Sequence, residues 1–141
     1  MTIIYTAKAE ATGGRDGHAK TDDGKIDAAL SLPGSNGAGT NPEQFFAAGY
    51  AACFGQALKA MSDKEGLKPA KVSVHATVNL HKGDDGFKIS VALDSYLEGL
   101  SQAEAEKIVD LGHQICPYSK ATRGNIDVAL LVNGTAFKQA A

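Results

Sequence analysis

One stretch constrains this chain more than any other: Asn41-Pro42-Glu43, followed by a long apolar run from Phe45 to Ala60 that is heavy in Ala and Gly. Asn41 can accept a hydrogen bond from the first free backbone N–H groups of a helix. Pro42 suits the first helical position, and Glu43 complements the positive end of the dipole. The pattern predicts a helix from Pro42 to about Lys64. A helix that is apolar nearly all round is expected to be buried on every side, with other backbones packed closely against its small residues. It is therefore read as the central helix of the fold.

The remaining segments arrange themselves around it. Ile3, Tyr5, Ala7 and Ala9 alternate with Thr2, Ile4, Thr6, Lys8 and Glu10, which predicts a first strand. Gly13-Gly14-Arg15-Asp16-Gly17 breaks it and presents one long cationic side chain from a glycine-rich turn. His18–Thr21 and Lys25–Leu30, split by Asp22-Asp23-Gly24, read as a hairpin, and Ser31–Thr40 as a loop. Strands are expected at Val72–Leu80 and Phe87–Tyr96 about the turn Gly83-Asp84-Asp85-Gly86. Ser101-Gln102-Ala103-Glu104 has the spacing of a capping box and opens a helix running to about Cys116, where Pro117 stops it. A last strand, Ile126–Val132, leaves a frayed tail. The order of strands, helix, strands, helix and strand places the chain in the α+β class.

At 141 residues this is expected to be one domain, 1–141, large enough to build a core without disulfide staples. A formal net charge of -2 gives no electrostatic ground for nucleic acid or an anionic membrane as partner. No apolar segment has the length of a membrane span, and the N-terminus lacks the pattern of a secretory signal, so a cytoplasmic location is expected.

That compartment gives the two cysteines their meaning. In reducing surroundings a cysteine pair is more often catalytic or metal-binding than structural. Cys53 lies in the middle of the central helix, where burial alone would raise its pKa and leave it inert unless a cation helps. Arg15, on its glycine-rich turn, is a better placed helper than Arg123, and a carboxylate such as Glu43 could hold its planar fork. Cys116 stands where a helix ends at a proline, a suitable place for a second thiol that must move. Two other readings stay open. A permanent disulfide across 63 positions would stabilise the fold by about 4 kcal/mol, and His113 with Cys116 could form half of a metal site. His18, His75 and His81 read as solvated or hydrogen-bonded imidazoles.

Two long motifs, Thr40-Asn41-Pro42-Glu43-Gln44-Phe45-Phe46-Ala47-Ala48-Gly49-Tyr50-Ala51-Ala52-Cys53-Phe54 and Cys116-Pro117-Tyr118-Ser119-Lys120-Ala121-Thr122-Arg123-Gly124-Asn125, resemble the organic hydroperoxide resistance proteins of the OsmC/Ohr family. Gly14-Arg15-Asp16-Gly17 is similar to that family's arginine loop. The resemblance implies antiparallel sheets packed around a buried central helix, in an intertwined homodimer. It also implies a thiol peroxidase that reduces organic and fatty-acid hydroperoxides without haem, metal or flavin, with lipoylated proteins as reductant. Carried over by motif, Cys53 is the peroxidatic thiol, Cys116 the resolving thiol, and Arg15 with Glu43 the activating pair, within one chain or across the dimer. Phe45, Phe46, Tyr50 and Phe54 are candidates for an apolar substrate approach, or for core packing. An OsmC-type relative with another substrate preference, or a redox-sensing protein switched by its disulfide, are the competing readings.

Overall fold

In a computed structural model the chain is described over residues 1–139. It divides into two compact units, Met1–Phe45 and a second beginning at Phe46. In the first, β1 (Ala9–Thr12), β2 (His18–Thr21) and β3 (Asp27–Ala29) form an antiparallel sheet in that order. The β2–β3 hairpin turns through the expected aspartate-glycine segment, where Thr21 Oγ1 donates to Asp23 and accepts from the Ile26 N–H. The predicted N-terminal strand is shorter and later than its alternation suggests. β2 ends at Thr21, so among the described residues those before Ala9 have no partner strand beyond the bond from Asp22 N–H to Lys8 C=O. Ile3, Ile4 and Tyr5 are left exposed.

The long helix α1 spans Pro42–Lys64, with Asn41 Oδ1 accepting from the Gln44 N–H at 2.9 Å as its start signal requires. It is not buried on every side. Tyr50, Phe54, Ala57, Leu58 and Ser62 are buried, whereas Ala48, Ala52, Gln56 and Lys59 form an exposed stripe three to four residues apart. Small apolar residues lower the cost of an open face, so composition alone overstated the burial.

Within the second unit, β4 (Lys71–Gly83) and β5 (Gly86–Glu98) make a long hairpin, and β6 (Val128–Val132) and β7 (Thr135–Ala136) complete a four-stranded sheet in the order β4-β5-β6-β7. The sheets are not wholly antiparallel, because β6 runs parallel to β5 in the register Val91↔Val128 to Ser95↔Val132. A parallel neighbour needs a crossover, supplied here by α2 (Gln102–Ile115) and α3 (Pro117–Thr122). The capping box at the start of α2 forms as expected: Ser101 Oγ accepts from the Glu104 N–H, and Glu104 accepts from the Ser101 N–H. The expected frayed tail is a tight hairpin through Asn133 and Gly134, both at positive φ, into β7. Ala140 and Ala141, also in that tail, lie outside the described residues.

The core of this unit is built from alternate residues of β5 (Val91, Leu93, Leu97), from β6 (Leu130, Val132), and from one face each of α1 (Tyr50, Phe54, Leu58) and α2 (Ala105, Ile108, Val109). Each large side chain that it buries contributes about 1.5–3 kcal/mol. The two helices approach closely at Gly112, where an added Cβ would lie 2.7 Å from Leu58 Cδ2.

Candidate active site

The two thiols meet inside the second unit. Cys53 lies on α1 one residue before the buried Phe54, and Cys116 lies between α2 and α3, closing the first and opening the second. Their Sγ atoms are 3.5 Å apart, with the Cys116 thiol donating to Cys53. Both are free thiols; Cys53 is partly exposed and Cys116 fully buried. Pro117 makes this joint by fitting the first position of α3 while disfavouring helix at Cys116, whose backbone is extended at φ -60 and ψ 124. Burial pushes the Cys53 thiol above its ordinary value. The Tyr118 backbone N–H acts in the opposite sense.

Beneath the thiols runs a buried chain of polar side chains. Thr122 Oγ1 donates to the Ser119 carbonyl. Tyr50 OH lies 3.1 Å from Thr122 Oγ1 and 2.9 Å from Ser119 Oγ, which is 2.9 Å from His113 Nδ1. A hydroxyl has one proton to give. Each of these hydroxyls can both donate and accept, so Tyr50, Ser119 and Thr122 can satisfy one another and His113. The four side chains thus form one continuous hydrogen-bonded chain from α1 to α2 and α3. Burial, then the nearby Arg123 charge, hold the His113 pKa below its ordinary value, against the opposing Asp110 carboxylate. His113 is a member of this chain through Nδ1, and the Arg123 guanidinium donates to the His113 carbonyl.

In the first unit, Arg15 is carried by a single 3-10 turn, Gly14–Asp16. Its Nη1 and Nη2 donate to the two Glu43 oxygens at 2.8 and 2.7 Å, a bidentate pair. This hydrogen bonding raises the Arg15 pKa and lowers that of Glu43, although burial of the carboxylate works the other way. Gly17 closes the turn where any Cβ would fall 1.8 Å from the Thr12 carbonyl oxygen.

Residues 34–130 match the family model for OsmC-like proteins. The chain is 51% identical over 133 residues to the organic hydroperoxide resistance protein of Xanthomonas axonopodis pv. citri, covering 91% of this chain and 94% of that one. Its fold is similar to two solved structures. One is the organic hydroperoxide resistance protein OsmC of Legionella pneumophila (TM-score 0.88, 45% identity, 93% and 98% coverage). The other is OhrB of Bacillus subtilis (TM-score 0.87, 43% identity, 92% and 99% coverage). The chain belongs to the OsmC/Ohr family of organic hydroperoxide resistance proteins.

Of the residues singled out for this OsmC/Ohr member, Cys53 meets Cys116 and Arg15 meets Glu43. Phe45 and Phe46 are partly buried, and Phe46 packs edge-on against Tyr50 and tilted against Tyr118. Tyr50 and Phe54 have no exposed surface at all and serve the core. Sequence reasoning gave His113 only as half of a metal site and assigned no functional part to Tyr118, Ser119 and Thr122. The signal for Tyr118, Ser119 and Thr122 lay in the Cys116–Asn125 motif, where Pro117 marks not only the end of one helix but the start of another. Outside the site, His18 pairs with Asp27, His81 bonds Ser90 Oγ at 2.7 Å, and His75 packs against Tyr96.

Proposed function

We propose that this chain reduces organic hydroperoxides, fatty-acid hydroperoxides among them, to alcohols by cysteine chemistry. The observation that carries the reading is the 3.5 Å approach of a partly exposed thiol to a fully buried one. The Cys53 thiolate attacks the distal peroxide oxygen; the O–O bond breaks, the alkoxide leaves and takes a proton, and Cys53 is left as sulfenic acid. The Cys116 sulfur then attacks the Cys53 sulfur, the S–O bond breaks, and the thiol proton leaves with the hydroxyl as water. A lipoyl dithiol restores both thiols and departs as its own disulfide.

Arg15, oriented by Glu43, is the activating cation of this cycle. It favours the Cys53 thiolate and stabilises charge on the peroxide oxygens as their bond breaks. Phe45 and Phe46 line the alkyl approach, whereas Tyr50 and Phe54 serve the core. The working form is a homodimer in the cytoplasm, with the chain acting as one domain. Supporting the dimer are the exposed apolar side chains Ile3, Ile4 and Tyr5 and the open stripe of Ala48 and Ala52 on α1.

Turnover of tert-butyl hydroperoxide with dihydrolipoamide, beside parallel assays with glutathione and with thioredoxin, tests the reading. Sustained turnover with the lipoyl dithiol alone is expected. Absence of peroxide loss even in the first equivalent would overturn the peroxidase, and equal turnover with the other thiols would overturn the choice of reductant.

A further inference from the structure

The two-thiol cycle requires a movement that the structure limits. A disulfide is about 2.05 Å long, so the sulfurs must close by about 1.5 Å from their reduced separation. Cys116 has little freedom of its own. Its N–H is bonded to the Gly112 carbonyl at 2.9 Å, its carbonyl accepts from the Lys120 N–H at 3.0 Å, and its side chain is sealed from solvent. Closure therefore depends on where α3 stands. A helix of six residues has no stability by itself, so something else must hold it.

We propose that Tyr50 and Ser119 are positioning residues for the resolving step, holding α3 so that the Cys116 sulfur stays within striking distance of Cys53. The proposal rests on the cysteine cycle set out above. Tyr50 stands on α1 three residues before Cys53, and Ser119 on α3 three residues after Cys116, so their 2.9 Å bond links the carriers of the two thiols directly. His113 fixes Ser119 from α2, and Thr122 returns the chain to the Ser119 carbonyl. All four side chains are buried, so removing either hydroxyl leaves a neighbour short of its hydrogen-bond partner inside the core. The same short helix also carries Tyr118. Tyr118 packs its ring against α1, where a Cβ at Gly49 would lie 3.0 Å from its hydroxyl.

The test separates oxidation from resolution. In single-turnover quenched flow with tert-butyl hydroperoxide, Tyr50→Phe and Ser119→Ala are each expected to slow disulfide formation about tenfold while changing peroxide loss no more than about threefold, so that sulfenic acid accumulates. The two hydroxyls act through one bond, so the double variant is expected to be no slower than the slower single variant. Closure driven by the thiol oxidant diamide, read as loss of free thiols, needs no peroxidase activity. It should show the same order of rates even if the peroxidase reading fails. Leu97→Ala, a core change outside the network, provides the measure of mere destabilisation and is expected to leave closure within about twofold. Closure unchanged in either folded variant, slowed equally by Leu97→Ala, or slowed multiplicatively in the double variant would overturn the proposal. Should Tyr50→Phe fail to fold by circular dichroism, Ser119→Ala alone decides.

Discussion

The two units solve different physical problems. The second is held by a continuous core drawn from two helices and two strands, and it places both thiols against that core. Met1–Phe45 contains one buried side chain among the described residues, Leu30; its sheet rests on backbone pairing, side-chain turn bonds and the Arg15–Glu43 pair. The difference is instructive for a redox protein. Two sulfurs 3.5 Å apart are set in dense packing, where interiors resist displacement. The cation is set on a thin, well-hydrogen-bonded scaffold that can tolerate adjustment.

The sharpest way to break this comparison is to ask whether the thiols are unequal. Cys53→Ser is expected to abolish peroxide reduction, whereas Cys116→Ser should consume about one equivalent and stop with Cys53 oxidised. Equal single-turnover activity in the two variants would remove the assignment. Next in size, Arg15→Ala should slow Cys53 oxidation by about 100-fold or more with circular dichroism unchanged, and Glu43→Gln by about tenfold, since it disorients the cation without removing it. Stopped-flow oxidation rates decide; a variant as fast as the parent would leave the Met1–Phe45 unit without a part in the chemistry. Refolding Cys53→Ser chains together with Arg15→Ala chains asks whether the pair acts across a dimer. Recovery of about half the sites in each mixed dimer is expected, and none if each site is built within one chain.

Smaller effects probe the core. Gly112→Ala forces a methyl group against Leu58 and should cost about 1–3 kcal/mol in urea unfolding, whereas Ala11→Ser on β1 should stay within about 0.5 kcal/mol. The smallest expected effect is a pH dependence. Because the folded state lowers the His113 pKa, it binds fewer protons than the unfolded chain. His113 therefore contributes stability that is present above the ordinary histidine pKa of about 6.5 and is lost as pH falls below it. The melting temperature should drop through that range, and the drop should shrink in His113→Gln.

Much of this was legible in the sequence. The limits of α1, the capping box at Ser101 and Glu104, and the hairpin about Gly83 and Gly86 are written in local chemistry, and local chemistry is what a sequence displays. Pairing between the thiols, and between Arg15 and Glu43, followed from motifs rather than from spacing. The misses have a common cause. The N-terminal alternation at Ile3 and Tyr5 is a strand pattern without a strand to pair with, and pairing is a property of the neighbour. The parallel placement of β6 depends on a crossover whose second helix, α3, is too short to show a periodic signal. The Tyr50–Ser119 bond joins residues 69 positions apart, and nothing in either local segment announces it.

The sealing of Cys116 beneath a partly open Cys53 also fixes how this protein will look to a chemist who counts its thiols. A bulky colorimetric reagent added to the native protein should titrate one group per chain, and two only after denaturation. A covalent probe should therefore give a single label in a molecule with two cysteines. Half the thiol content measured under native conditions would signify shielding, and should not be mistaken for half-oxidised material.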